Sequence, residues 1–284
     1  MAAPAFAALL WLGAMPPLNI VLLGLLTTFA GYTAVYALND VIGYKQDKEK
    51  IEKSILLERN DLDAVWVRHP MAQDLLSFRA GLIWAIGWSA VAAVGAFLLN
   101  PICLLIFMAG CVLEALYCLL LKITHHRVLI SGGVKTSGAI AAVFAVDPSP
   151  DTTFLILLFL LFFFWEIGGQ NIPNDWSDLE EDLKLNVRTV PVRFGPNHSL
   201  SIILISLLMT LGLTATIFNF SLSTFHWRYI LFALAAGGAL LAYPAWRLYR
   251  SRNTTDAMTL FNRASLFPLS LFIVVLIKVL TDHI

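Results

Sequence analysis

Charge is what this sequence has least of. Only 13% of its 284 residues are Asp, Glu, Lys or Arg, about half the share of a soluble domain. So few charges cannot cover a water-facing surface of this size. The charges also balance, nineteen basic against nineteen acidic. No surplus of one sign exists to gather phosphate backbones, which excludes a nucleic-acid binder. Cysteine is scarcer still. Cys103, Cys111 and Cys118 share one apolar stretch but lie too far apart along a helix to bridge, which excludes a disulfide-stapled secreted domain. They read as soft core fillers. No basic residue precedes Lys45, so the first apolar segment lacks the charged leader of a signal peptide.

Apolar residues supply 58% of the chain, and the mean hydropathy is +0.76. A bilayer core of roughly 30 Å takes about 20 apolar residues per helix. Segments at about 2–14, 18–39, 75–99, 101–121, 129–146, 153–172, 198–220, 228–246 and 264–281 predict an all-α, polytopic membrane protein. The expected architecture is one domain over residues 1–284, a bundle of nine transmembrane helices with the first short, truncated or re-entrant. Most basic residues fall on alternate connections, from Lys45 to Arg79, Lys122 to Lys135, Lys184 to Arg193 and Arg247 to Arg263. The opposite connections carry only Arg228. The positive-inside rule makes the charged face cytoplasmic, with the N-terminus inside and the C-terminus outside.

Two connections on that face hold the chemistry. After the second segment comes Asn39-Asp40-Val41-Ile42-Gly43-Tyr44-Lys45-Gln46-Asp47, and after the sixth Asn174-Asp175-Trp176-Ser177-Asp178-Leu179-Glu180-Glu181-Asp182. If the helix continues, Asp175, Asp178 and Asp182 share one face. Like charges so placed repel and call for a cation. Hard oxygen ligands at a membrane boundary suit Mg2+, which commonly joins carboxylates to phosphate oxygens.

These residues resemble the UbiA superfamily of intramembrane prenyltransferases, which carries NDxxDxxxD after its second helix and DxxxD or DxxDxxxD after its sixth. The second motif continues into Thr189-Val190-Pro191-Val192-Arg193-Phe194-Gly195, similar to the family's T-x-P-V-x-x-G. Gly169-Gln170-Asn171-Ile172 resembles the G-R-E-I segment with amides replacing Arg and Glu. Arg68-His69-Pro70-Met71-Ala72 resembles R-P-L-A, offset by extra residues. Tyr117 and Lys122 resemble the Tyr-to-Lys pair closing the fourth helix. One departure stands out: Gly43 occupies a position where the family places a carboxylate. Asn39, Gly43 and Asp47 lie on roughly one helix face, with Asp40 about 100° from Asn39.

The resemblance implies a chamber capped on the cytoplasmic side, where a prenyl diphosphate sits between the two motifs through Mg2+. Asn39, Asp47, Asp175, Asp178 and Asp182 are the implied metal ligands, with Asp40 or a water completing the first set. Lys122, Arg68, Lys184 and Arg188 are candidates to neutralise the leaving diphosphate, with Tyr117, Asn171 and Asn174 at the same end. Each cation is equally suited to anchoring the bundle at the headgroups. Glu166 and Glu114 lie within spans, where an ionisable group is expensive, and either contacts an acceptor or pairs with a buried polar group. Phe162 to Trp165 are compatible with a chamber lining, as are aromatics in any membrane bundle. The residues from Lys45 to Arg59 can form a lid or a solvated helix. The expected activity is Mg2+-dependent prenyl transfer to a small acceptor, with an aromatic quinone precursor favoured. A non-catalytic isoprenoid-binding relative, kept open by Gly43, and a transporter are the alternatives.

Overall fold

The computed structural model describes residues 2–52 and 69–281, with no strand among them. The helices are α1 (Ala2–Leu12), α2 (Leu18–Glu52), α3 (Phe78–Leu99), α4 (Pro101–Leu119) and α5 (Arg127–Val146). They continue as α6 (Thr152–Ser177), the short α7 (Leu179–Lys184), α8 (Val190–Phe220), α9 (Trp227–Ser251) and α10 (Thr254–Thr281). Local sequence explains the starts. Ser77, Asn100 and Asp151 cap α3, α4 and α6, their side-chain oxygens accepting from Ala80, Ile102 and Phe154 backbone N–H groups that would otherwise be orphaned at a helix end.

Among the described residues, eight helices are long and apolar enough to cross a membrane. Nine were expected, and α1 is the difference. Its eleven residues rise about 16 Å, roughly half of a bilayer core. It is nevertheless core: Phe6, Ala7 and Leu10 are fully buried, packed between α5 and α10. Trp11 Nε1 donates to Asp147 Oδ2 at 2.9 Å and Lys278 Nζ to the Gly13 carbonyl at 3.1 Å, which fastens the α1 end to the side opposite the acidic motifs. The outer surface is apolar, with Ile83, Leu105 and Leu208 about 70% exposed, as a lipid-facing wall requires.

Two interruptions shape the end that carries the second motif. Pro173 has no N–H, so the Gly169 carbonyl lacks its helical partner. Gln170 Nε2 takes that place at 3.1 Å and also reaches the Phe261 carbonyl at 3.0 Å. The strain is absorbed by a π-helical stretch, Glu166–Asn171, in which Ile172 N–H reaches back to Ile167. A Cβ on Gly168 would stand 2.9 Å from the Ile203 carbonyl, so only glycine lets α6 approach α8 this closely. The second interruption is at Gly195, whose φ of +72° breaks α8 in its first turns. A Cβ there would meet nothing within 4 Å, so the backbone angle, not space, calls for glycine.

One buried apolar cluster joins α1, α5, α6, α8, α9 and α10. Phe162 lies in it at zero exposure, edge-on to Phe6, while Trp165 donates to the Ala264 carbonyl. Gly132 packs on the Phe163 ring. The aromatic run therefore contributes to interhelical packing. The helices α2, α3 and α4 lie outside this cluster and form a thinner wall.

Candidate active site

Helix α2 runs unbroken through the first motif to Glu52, thirteen residues past the apolar segment the sequence marks. Asp40 and Asp47 are seven residues apart, two turns, and so fall within about 20° of one another. Their carboxylates converge on His69: Nδ1 is 3.1 Å from Asp47 Oδ2 and 3.4 Å from Asp40 Oδ1. One ligand atom from each of the three residues lies within 4.8 Å of the others. The Asn39 side chain turns towards α4, its Nδ2 donating to Glu114 Oε1 at 2.6 Å. Glu114 thus meets the Asn39 amide from the first motif and also accepts from Cys118 Sγ.

The second motif is built differently. The helix does not continue straight through it: Asp178, with φ −94° and ψ 7°, separates α6 from α7. Backbone bonds Asp178 N to Asn174 O and Asp182 N to Asp178 O still bridge the break, and Asp175, Asp178 and Asp182 are all buried. Asp175 Oδ1 accepts from Arg127 Nη2 at 3.2 Å. Asp182 Oδ2 accepts from the fully buried Thr189 hydroxyl at 3.1 Å.

Arg127 connects this cluster to α4. Its guanidinium lies 4.3 Å from the centroid of the Tyr117 ring, and Nη2 donates to the Tyr117 hydroxyl at 3.0 Å. Asn171 Nδ2 donates to the same hydroxyl at 3.0 Å. Two buried polar atoms here, Arg127 Nε and Asn171 Oδ1, have no hydrogen-bond partner among the described residues. Such orphans are rare in a settled core.

The remaining candidates sit around this network. Lys122 Nζ pairs with Glu49 Oε2 of α2 at 2.9 Å. Arg188 is exposed and donates to the Ile123 carbonyl, and Lys184 is exposed on α7. Asn174 is half-buried, its carbonyl accepting from Ser177 at 2.6 Å. Glu166 Oε1 accepts from Ser131 at 2.6 Å, so it too meets a polar group on a neighbouring helix. Arg68 and the part of the Lys45 to Arg59 segment after Glu52 lie outside the described residues.

Sequence reasoning missed His69, Arg127 and Lys135 as site residues. Arg127 and Lys135 entered only as orienting charges on a connection. Arg127 instead opens α5, and Lys135 stands eight residues along it, about 12 Å into the span, within 3.5 Å of the Tyr36 hydroxyl. An ionisable group at that depth was itself a usable signal. Beside Asp40 a cavity of about 360 Å3 opens between α2 and α3, its wall including Tyr32, Tyr36, Met71 and Trp84.

A model of the UbiA prenyltransferase family matches residues 1–271. A digeranylgeranylglyceryl phosphate synthase from Methanopyrus kandleri is 27% identical over 184 residues, which is 61% of this chain and 62% of that relative. In fold the chain is similar to the apo structure of a UbiA homolog from Aeropyrum pernix K1, with a TM-score of 0.76 and 16% identity, covering 100% of this chain and 97% of that one. It is also similar to a UbiA homolog from Archaeoglobus fulgidus bound to GPP and Mg2+, with a TM-score of 0.67 and 17% identity over 96% of this chain and 94% of that one. The matched family model covers nearly the whole sequence, and the all-helical bundle agrees: this chain belongs to the UbiA prenyltransferase family.

Proposed function

We propose that the protein transfers a prenyl group from a prenyl diphosphate to a small acceptor at the membrane face bearing the two acidic motifs. The observation that carries this reading is the polar network running from Asn39 through Glu114 on α4, and from Tyr117 through Arg127 to Asp175. The two sets of contacts are joined by helix α4, which carries both Glu114 and Tyr117, and in the second set the buried Arg127 guanidinium has an Nε without a partner among the described residues. A diphosphate oxygen is the acceptor that Arg127 Nε lacks.

At the second motif the donor set fits Mg2+, with buried carboxylates at Asp175, Asp178 and Asp182, while the first motif offers Asp40 and Asp47 on α2. Mg2+, when bound, would neutralise charge on the diphosphate. This chain's residues would do the rest. Arg127, with Lys122, would stabilise the leaving diphosphate as the allylic C–O bond breaks. The prenyl carbon then bonds to the acceptor, which releases a proton. The cavity lined by Tyr32, Tyr36 and Trp84 would hold apolar substrate away from water. Lys184, Arg188 and Asn174 lie in or just after the second motif, on the face that the positive-inside rule assigns to the cytoplasm.

For the acceptor, an aromatic quinone precursor is the family-based reading. A second has a specific observation behind it, since the Methanopyrus kandleri relative is named for a glyceryl phosphate product. Purified protein would be supplied with Mg2+, geranyl to geranylgeranyl diphosphates, and both acceptor types, with pyrophosphate release and product mass as readouts. Acceptor-dependent release that falls about 10²–10³-fold, the loss typical when one element of charge stabilisation is removed, in Asp178→Ala is expected. Release untouched by that substitution would sink the reading. Product mass names the acceptor.

A further inference from the structure

Position 43 raises a question that the rest of the site answers. The family motif puts a carboxylate there, and this chain has Gly43. A Cβ at 43 would stand 3.1 Å from Asp47 Oδ2. The imidazole of His69 reaches that same oxygen, with Nδ1 at 3.1 Å. His69 arrives from beyond α2, on a backbone with φ of +56° immediately before Pro70, and its Nδ1 also lies 3.4 Å from Asp40 Oδ1. Tyr44, Met71 and Ala72 close around these three side chains.

We infer that His69 is a metal ligand replacing the missing carboxylate, so that the first metal position is an Asp40–Asp47–His69 site selective for a divalent transition ion over Mg2+. This rests on the prenyl-transfer reading only for what the ion is used for; the site itself stands on its three donors. An all-oxygen set suits Mg2+, whereas imidazole nitrogen shifts preference towards transition ions such as Fe2+, Ni2+ and Zn2+. Mg2+ gains little from a nitrogen donor and demands near-ideal octahedral oxygen geometry. Mn2+ accepts both donor types and still tolerates phosphate oxygens. The second cluster, Asp175, Asp178 and Asp182, offers only oxygens and keeps its suitability for Mg2+. The protein would thus hold two unlike metal positions.

The test uses the full-length protein in detergent, with any affinity tag of histidines removed, and Mn2+ alone as probe. Free Mn2+ measured by electron paramagnetic resonance gives affinity, and electron-spin-echo modulation reports directly coordinated nitrogen. The native protein should show imidazole nitrogen on bound Mn2+ and prefer Mn2+ to Mg2+ in competition. His69→Ala should lose the nitrogen modulation and weaken Mn2+ at that position by at least the roughly tenfold that even a supporting residue costs. His69→Asp, which restores an oxygen set, should lose the nitrogen yet bind Mg2+ better than the native chain. It also guards against a merely misfolded alanine variant.

Bound Mn2+ without imidazole nitrogen would overturn the inference and leave His69 as an imidazolium paired with two carboxylates. So would nitrogen modulation that survives in both variants. Pyrophosphate release measured in the same samples separates the two readings. Release without nitrogen coordination refutes the His69 site alone, while nitrogen coordination without release under either metal refutes the transferase reading alone.

Discussion

The two halves of the bundle are built to different standards. In the spans α6 and α10, 44% of the most apolar window is buried inside the protein, against 11% in α2 and 22% in α3 and α4. The second acidic motif ends a helix of the packed half; the first ends a helix of the thin half. Their side chains follow suit. Asp175 is clamped by Arg127 and Asp182 by Thr189, whereas Asp40 faces both His69 and the cavity between α2 and α3. Packing fixes the geometry of one motif and leaves room at the other. That division suits a site that must hold one substrate end rigidly while admitting an apolar chain beside it.

The comparison predicts where a single cut hurts most. Arg127→Met removes the guanidinium from a buried carboxylate and from the Tyr117 hydroxyl at once. Losing one partner of a buried ion pair costs about 3–5 kcal/mol, so the thermal unfolding transition in detergent should fall sharply and diphosphate binding should disappear. A variant melting within a degree or two of the native protein would mean that the packed half does not depend on this pair. Tyr117→Phe is the next cut down. The ring stays beneath Arg127, but Arg127 Nη2 and Asn171 Nδ2 both lose an acceptor in a buried setting. The expected destabilisation is about 1–3 kcal/mol, with a raised KM for the diphosphate. An unchanged KM would place the hydroxyl outside the substrate end.

How much of this the sequence discloses depends on the range of the interactions. Spans are legible because lipid imposes a local rule, apolar residues for about twenty positions, and both motifs are legible because their acids are close in sequence. The rule fails at α1, where eleven residues, seven of them buried, satisfy hydropathy without reaching across. It also fails at helix ends: α2 and α9 run well past their apolar segments, since a helix continues into water wherever no breaker stops it. The π-helical stretch was half visible. Pro173 announces a missing N–H, but nothing local says that the Gln170 side chain will answer the Gly169 carbonyl. His69 and Arg127 were invisible as site residues for one reason: their partners, Asp47 and Asp175, are brought to them by other helices. The aromatic run Phe162 to Trp165 shows the converse, since composition matches both a chamber wall and a packed core, and only the neighbours decide.

The smallest effect is expected where the halves meet water. Lys122 and Glu49 form a bridge of 2.9 Å from the α4 end to α2, with side chains 39% and 33% exposed. At that exposure a pair contributes about 0–1 kcal/mol, so neither Lys122→Gln nor Glu49→Gln should move the melting transition by more than that. Their effects on the diphosphate should nevertheless differ in sign. If Lys122 serves the leaving group, removing it raises KM, whereas removing Glu49 frees the ammonium and lowers or preserves KM. Raising the salt concentration should shrink both effects, because exposed charges are screened over about 8–10 Å. Equal KM changes in the two variants would instead mean that the pair only fastens the thin wall to α4. In that case the leaving group would depend on Arg127 and the metals.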